Sequence, residues 1–440
     1  MIPLRHVLSL ASLAAALAAC STPPDTAARP ADAGDDVALT VTDGAVDVAT
    51  GDAGPVPTWS EHVAPIVFRN CVGCHREGGI APFGLTTYQQ ASGVAELMSR
   101  EVTSRRMPPT VINASGSCNQ FRDDVKWLTD AEIQTVARWA AGGAPEGDRA
   151  RLPPVPAPPG GLPRVDARVD IGTTYTPEQG RADQYRCFVA NPGLTADRFI
   201  TGFEVVPCDR RVVHHVILYS LPTAAAEQSA LALEAEDAQP GYTCFGGPGA
   251  TGSAPLALWA PGGEATQFPA GTGLRINGGR RVVIQVHYNV LNGAFPDRTA
   301  VQLQLADRVD AEARLTPMVA TDINIPPRTA MTTVTAQRAI GPIAPRGARV
   351  WGTAPHMHEI GRVQRLSSSG GGSTTCLSDV TQWNFHWQRL HFYRTPIELD
   401  ANQTIAIECG YDSSMRTAAT RRGEGTQDEM CLNYLYVTAR

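Results

Sequence analysis

The apolar and polar positions of the chain fall into stretches of different period. Residues 7–19 form an apolar run behind Arg5 and His6. It is shorter than the roughly 20 residues that span a bilayer and reads as a targeting segment. Residues 21–57 are mainly Ala, Asp, Pro, Thr and Gly. They cannot bury enough surface to offset their ordering entropy and are expected to form a disordered tether. Over residues 58–148 the spacing becomes helical. In "LTDAEIQTVARWAAGGAPEGD", Thr129 and Glu132 stand at capping-box distance, Ile133, Val136, Ala137, Trp139 and Ala140 make an apolar face, and Gly142 and Gly143 supply the stop.

"LPPVPAPPGGLP" (residues 152–163) fits neither helix nor central strand, so residues 149–184 read as a stiff linker. Beyond it the pattern is short and rich in Val, Ile, Tyr and Thr, as in "RVVHHVILYS", "RRVVIQVHYNV", "AVQLQLA", "AMTTVTAQ", "ARVWGTAPHMHEI" and "TIAIECGYDSS". One helix, in "TAAAEQSALALEAEDA", interrupts it. That length of strand exceeds one sandwich and predicts two all-β domains, residues 185–310 and 311–440, dividing near residues 308–317. The expected fold class is thus multidomain, a small all-α domain followed by two all-β sandwich domains.

Composition narrows the function. With 440 residues, 43% hydrophobic and 18% charged, the chain buries more than one core, and its 41 Gly and 34 Pro suit the turns of an all-β body. A net charge of −6 with no basic run leaves no nucleic-acid footprint. Leu17-Ala18-Ala19-Cys20 resembles a bacterial lipobox. The resemblance implies cleavage before Cys20, its acylation, and a lipid anchor in the cell envelope. A plain secretory signal is the alternative, and both place the mature chain in an oxidising compartment.

"FRNCVGCHREGG" holds Cys71, Cys74 and His75 at C-x-x-C-H spacing, the pattern of covalent c-type haem attachment, with His75 as proximal ligand. Met107, in "SRRMPPT", is the expected sixth ligand because a thioether raises the haem potential, and His62 is its rival. A redox C-x-x-C or half a zinc site would lack partners here. The stretch resembles the small cytochrome c domains of bacterial exported oxidoreductases, which carry "C-x-x-C-H", "MPP" and a closing "GAP-G".

The second candidate lies in "APHMHEIG". On a strand, His356 and His358 would share a face, as a structural pair or as half of a metal site. His214 and His215 in "VVHHVIL" and His287 in "IQVHYNV" sit in similar apolar contexts. Any one alone would be an ordinary core histidine. Together with "YRCF", "GFEVVPCDRRVVHHVILYS", "HMHEIG" and "CGYDSSMRTAATRRGEGTQDEMCLNYLYV", in that order, the region from about residue 185 to 436 resembles the copper type II monooxygenases.

That resemblance implies jelly-roll-like β domains and two copper ions. His214, His215 and His287 would hold an electron-storing copper. His356, His358 and Met430 would hold the copper that meets O2, with Met415 the rival sulfur. It further implies a Cys409–Cys431 disulfide and a cleft position for Gln285. A soft thioether favours Cu(I) and argues against redox-inactive zinc. Cys118, Cys187, Cys208, Cys244 and Cys376 remain, with Cys187–Cys244 one conceivable pair.

The chain departs from the family in two respects. The peptide-amidating branch binds its substrate carboxylate with an Arg two before the H-x-H, an Asn two after the Met and a Tyr four after it. Here those positions are Ala354, Leu432 and Tyr434. Without the guanidinium a peptide carboxylate loses its bidentate partner, and a neutral or aromatic small molecule is expected instead. The attached haem segment adds a built-in one-electron donor, supplied in turn by a periplasmic or ascorbate-like reductant. The expected function is an exported dicopper monooxygenase that hydroxylates a C–H bond. The alternative is a non-catalytic haem and copper electron-transfer or copper-binding lipoprotein. A hydrolytic zinc enzyme is disfavoured because no carboxylate stands at zincin spacing. Trp383, His386 and Trp387 in "QWNFHWQRLHF" read as an aromatic strand at a core or interface.

Overall fold

The computed structural model describes residues 54–440 apart from 80, 123, 182, 261–262 and 291–292. The targeting run, Cys20 and the tether to residue 53 lie outside the described residues. The helical segment comprises Trp59–Val63, Ala64–Asn70, Tyr88–Ser92, Ala95–Thr103 and Asp130–Ala141. Its own core is built from Val63, Val67, Phe68, Met98, Val136 and Trp139 around a fully buried Trp59. The last helix starts at the expected box, where Thr129 Oγ1 accepts from the Glu132 N–H and the Glu132 carboxylate accepts from the Thr129 N–H.

The β body contains a five-stranded, a four-stranded and a nine-stranded sheet. The five-stranded sheet runs Tyr242–Thr243, Asp183–Ala190, Val282–Asn289, Val213–Ser220, Ala254–Trp259. The four-stranded sheet runs Thr332–Ala339, Thr404–Tyr411, Gly361–Gly370, Ser373–Val380. The nine-stranded sheet draws on both halves. Thr272–Ile276 pairs in parallel with Ala311–Ala320, which pairs with Cys431–Ala439 and so reaches Ala348–His356 and His391–Leu399.

The expected boundary near residues 308–317 therefore falls within a strand of a shared sheet. Phe203, Leu274 and Val301 of one half pack in the same core as Ala354, Phe392 and Tyr436 of the other. Local patterning marks a strand but not its distant partner, and the parallel pairing was invisible for that reason. The linker also differs from expectation. Ala167–Asp170 is already a strand, paired with Ala300–Ala306. The expected helix is present as Ala224–Glu236, capped by Thr223.

The helical segment is not self-contained either. Between the helices Ala95–Thr103 and Asp130–Ala141, residues 111–122 leave it and are sewn onto the C-terminal β half. Ile112 bridges to Val380 and Phe121 to Tyr393, the Asn113 N–H donates to the Asp379 carbonyl, and the Asn119 side chain donates to the Cys376 and Leu377 carbonyls. Cys118–Cys376 closes the strap covalently across 258 residues. Ile112 and Phe121 are buried in the C-terminal core, so the strap is a packed element and not a passing loop.

Closing so long a loop restricts the unfolded chain, by at most about 5 kcal/mol. Replacing Cys118 and Cys376 together with Ser should lower the unfolding midpoint and open residues 104–128 to limited proteolysis while both β halves stay resistant. Unchanged proteolysis there would show that the packing alone holds the strap.

Candidate metal centres

A bulge and a strand alternation build the first group. In the central strand Val282–Asn289, Val282, Ile284, Val286 and Tyr288 face the large core. Val283, Gln285 and His287 therefore point to the other side. Its neighbour Val213–Ser220 should send adjacent histidines to opposite faces, but its register slips between Val213 and His215. The bulged His214 can thus join His215 opposite His287.

The result is convergence. His287 Nδ1 lies 3.2 Å from His214 Nδ1 and 3.1 Å from His215 Nδ1, and the three ligand atoms lie within 4.8 Å of one another. Tetrahedral nitrogen ligands about 2.0 Å from an ion are about 3.3 Å apart. His287 Nε2 donates to Asp183 Oδ1 at 2.9 Å, which leaves its Nδ1 a bare acceptor facing two other ring nitrogens. A cation fits that arrangement. Burial, the largest cause, holds His214 at about 3 and His215 well below the usual range, so both stay neutral, the form that binds metal. Burial alone would raise the Asp183 carboxyl, yet hydrogen bonds from His287 and Thr426 hold it at about 2. Asp183 orients the imidazole and raises its basicity. Tyr185 stacks on the His287 ring at 4.2 Å.

The second group forms at the end of the strand Ala348–His356. His358 lies beyond that strand, and its ring stands at 89° to that of His356, centroids 5.2 Å apart. The two imidazoles therefore converge from different directions, where an unbroken strand would hold them parallel. His356 Nδ1 is bonded to the Gln388 side-chain oxygen and His358 Nδ1 to the Asp428 carbonyl at 3.1 Å, so both offer Nε2. Met357 is fully buried in the C-terminal core, away from them. Met430 is 9% exposed and lines one cleft with His356 and His358. Met415 is 82% exposed and is no competitor. Two imidazoles and a thioether form a donor set suited to copper.

One carboxylate makes this group. Glu429, fully buried, accepts from the backbone N–H groups of His358, Ile360 and Met430 at 2.9, 2.9 and 3.1 Å. It ties the H-x-H turn to the residue carrying the thioether. Burial pushes its carboxyl up to about 7, against the pull of those donors. Cys409–Cys431 fixes the next residue, and the Tyr411 hydroxyl donates to the Met430 carbonyl. Neither Glu429 nor Asp183 was singled out from the sequence, since only their position beside a ligand could have hinted at them.

The same cleft is lined by His215, Gln285, Ala354, Leu432 and Tyr434, so it opens to both groups. Residues 381–390 close one side. They form a loop and not the expected strand, because the Asn384 side chain caps a turn by accepting from the His386 N–H. Phe385 stacks on His214 at 4.9 Å and meets His358 edge-on at 5.9 Å, so one ring spans the two groups. His386 is exposed, 5.7 Å from the His214 ring, and Trp383 donates to the His358 carbonyl.

The C-x-x-C-H motif follows the end of helix Ala64–Asn70, with Cys71 at the C-cap, so it sits in a turn and not on the helix itself. Cys71 and Cys74 stand outside the disulfides, and burial pushes the Cys71 thiol up to about 12. His75 Nδ1 bonds the Phe83 carbonyl at 3.1 Å and leaves Nε2 available. Two thiols and an imidazole with a free Nε2 fit covalent haem. The fields of Glu264 and Arg389 reach Cys74, and Arg389 also lines the cleft. Met107 lies half-buried on the turn after Ala95–Thr103, its N–H bonded to the Glu101 carbonyl. His62 is exposed and takes the Thr58 N–H on Nδ1. Cys187 pairs with Cys244, and the Gln285 amide reaches Cys244 Sγ at 3.4 Å.

Comparison with known proteins agrees with this geometry. Residues 170–294 match the copper type II ascorbate-dependent monooxygenase N-terminal domain, and residues 312–438 match its C-terminal domain. The chain is 25% identical over 247 residues to tyramine beta-hydroxylase of Caenorhabditis briggsae, covering 53% of this chain and 40% of that one. It is 25% identical over 203 residues to human dopamine beta-hydroxylase, covering 41% and 32%. With a peptidyl-glycine alpha-amidating monooxygenase of Xenopus laevis it shares 24% over 295 residues, covering 60% and 29%. The match thus spans well under half the length of each relative.

Two substitutions separate the groups. Asp183→Asn should weaken metal binding at the three-imidazole group about 10–100-fold and leave the other unchanged, as read by metal titration. Glu429→Ala strands three buried N–H groups and should cost about 3–5 kcal/mol in denaturant unfolding, together with metal at the His356, His358 and Met430 group. Glu429→Gln, which keeps one carbonyl acceptor, should lose less.

Proposed function

For this member of the copper type II ascorbate-dependent monooxygenases, to which its paired N- and C-terminal domains assign it, we propose hydroxylation of a C–H bond of a small organic substrate with O2. The observation that carries this reading is one cleft reached by two unlike donor sets, lined by His215 of the three-imidazole group and by His356, His358 and Met430 of the other. Copper bound to both would supply two one-electron equivalents, the number that insertion of one oxygen atom requires beyond the substrate's own pair.

The chain's residues do the rest. Asp183 and Gln388 fix which ring nitrogen each imidazole presents. Glu429 holds Met430 beside the H-x-H turn. Leu432 and Ala354 make the stretch of wall they line apolar and put no charged partner for a peptide carboxylate at those two positions.

Cys71, Cys74, His75 and Met107 would hold one haem c, as an internal electron donor fed by a periplasmic or ascorbate-like reductant. The three disulfides among the described residues suit an exported chain, and acylation at Cys20 would anchor it to the cell envelope.

The test is copper-loaded full chain with ascorbate and 18O2. Uptake of one O2 per hydroxylated product, with one labelled oxygen in that product, supports the reading. Tight copper binding without O2 uptake on any of a panel of aryl-alkyl substrates contradicts it and favours a copper-binding or electron-transfer protein. Glycine-extended peptide should be turned over at least about tenfold more slowly than the best small substrate, the discrimination expected from one missing charge-assisted contact. Cys71→Ala with Cys74→Ala should abolish the haem absorbance and lower turnover with a reductant that acts through the haem, and full activity with that reductant would contradict the haem's role as donor.

A further inference from the structure

The imidazoles of the two donor sets differ in what orients them. His287 Nε2 is held by Asp183, His356 Nδ1 by the Gln388 side chain and His358 Nδ1 by the Asp428 carbonyl. His214 has no such hold. Its Nε2 is buried without a hydrogen-bond partner among the described residues, and its backbone sits where the register slips between Val213 and His215. A metal-binding imidazole ordinarily has its second nitrogen fixed by a hydrogen bond. What lies against this one is a ring. Phe385 stacks on it, centroids 4.9 Å apart and planes 27° from parallel.

The same ring meets His358 edge-on at 5.9 Å and 79°, and His358 also stands off the ladder, beyond the end of Ala348–His356. Phe385 thus touches the two imidazoles that regular strand does not hold, one from each donor set. Its own position is fixed from the second set. The Gln388 amide that bonds His356 also donates to the Phe385 carbonyl at 2.7 Å. The Asn384 side chain caps the turn at the His386 N–H, and the Trp383 indole donates to the His358 carbonyl at 2.9 Å. Gln388 and Arg389 of this loop line the cleft, whereas the Phe385 ring packs on the imidazoles.

We propose that Phe385 is a positioning residue for the reaction: its ring orients the His214 imidazole and clasps it to His358, so that the two donor sets keep one separation. This rests on the two-copper monooxygenase reading. The shared nine-stranded sheet places the two halves, and the ring makes the last contact between their imidazoles. Packed side chains hold a distance that solvent between the rings would leave free. Hydroxylation of R–H with O2 takes two electrons and two protons to turn the second oxygen atom into water. One of those electrons has to cross from the three-imidazole group, whose copper passes from Cu(I) to Cu(II). Where the separation drifts, that electron arrives late, and O2 leaves as hydrogen peroxide with two electrons from ascorbate and two protons.

The experiment takes the copper-loaded full chain as wild type, Phe385→Ala, Phe385→Leu and Phe385→Tyr. It reads the copper–copper distance by pulsed EPR of the oxidised state, and product and peroxide per O2 consumed with ascorbate and 2-phenylethanol as an aryl-alkyl probe. The wild type should give one narrow distance. Phe385→Ala, with both coppers retained, should broaden it and shift the Cu(II) hyperfine signature of the three-imidazole group. It should lower kcat by up to about 100-fold, the loss that about 1 Å of misplacement brings, with KM unchanged and peroxide formed. Phe385→Leu fills the space without a flat face and should fall between, and Phe385→Tyr keeps the ring and should restore the narrow distance. A distance as narrow in Phe385→Ala and Phe385→Leu as in the wild type, or as broad in Phe385→Tyr as in Phe385→Ala, would overturn the assignment. Broadening in Phe385→Ala without O2 uptake by the wild type would leave the clasp standing and sink the monooxygenase reading. Hydroxylation by the wild type with a distance that no substitution moves would do the reverse.

Discussion

A single buried carboxylate decides whether the second donor set exists. Met430 and the H-x-H pair are about seventy residues apart in the chain, and strand pairing alone brings only their neighbours together, His356 opposite Leu432. Glu429 converts that approximate register into a fixed site by accepting from His358, Ile360 and Met430 at once. Its cost is the burial of an ionisable group with no cation hydrogen-bonded to it among the described residues, offset by three backbone donors that would otherwise be stranded. The adjoining disulfide and the Tyr411 bond to the Met430 carbonyl act on the same short stretch. Three constraints on Met430 and the residue after it are what a soft, flexible thioether needs if it is to be a ligand and not merely a core side chain.

The same economy governs the relation between the two donor sets. They sit on different sheets, yet the nine-stranded sheet running through both halves makes their separation a property of one continuous core. Links cross between the halves at the level of the sites themselves. Thr426 reaches Asp183, which holds His287, and Tyr185 both stacks on His287 and bonds Glu424. Phe385 fills the remaining gap between His214 and His358. The strap of residues 111–122 docks on Ser373–Val380 and His391–Leu399, the two strands that flank the loop carrying Phe385. The helical segment is thereby attached to the part of the β body that borders the cleft.

Much of this was readable in the chain because it is local. The capping box at Thr129, the helix Ala224–Glu236 and the strand character of residues 282–289 each follow from period and propensity. The clustered histidines stood out through their joint pattern and the family likeness it carries. What was hidden is non-local. A bulge that turns His214 and His215 to one side, a parallel pairing between Thr272–Ile276 and Ala311–Ala320, and a disulfide from Cys118 to Cys376 leave no short-range trace. Residues 381–390 misled for a related reason, since aromatic content favours strand but here serves contacts to His214 and His358.

The most direct measurement is metal analysis with copper X-ray absorption on the ascorbate-reduced full chain. The account requires two coppers per chain and one sulfur scatterer for every two coppers, with that sulfur lost in Met430→Ala while the three-imidazole signal persists. Zinc in place of copper, or a reduced spectrum without sulfur, would contradict it.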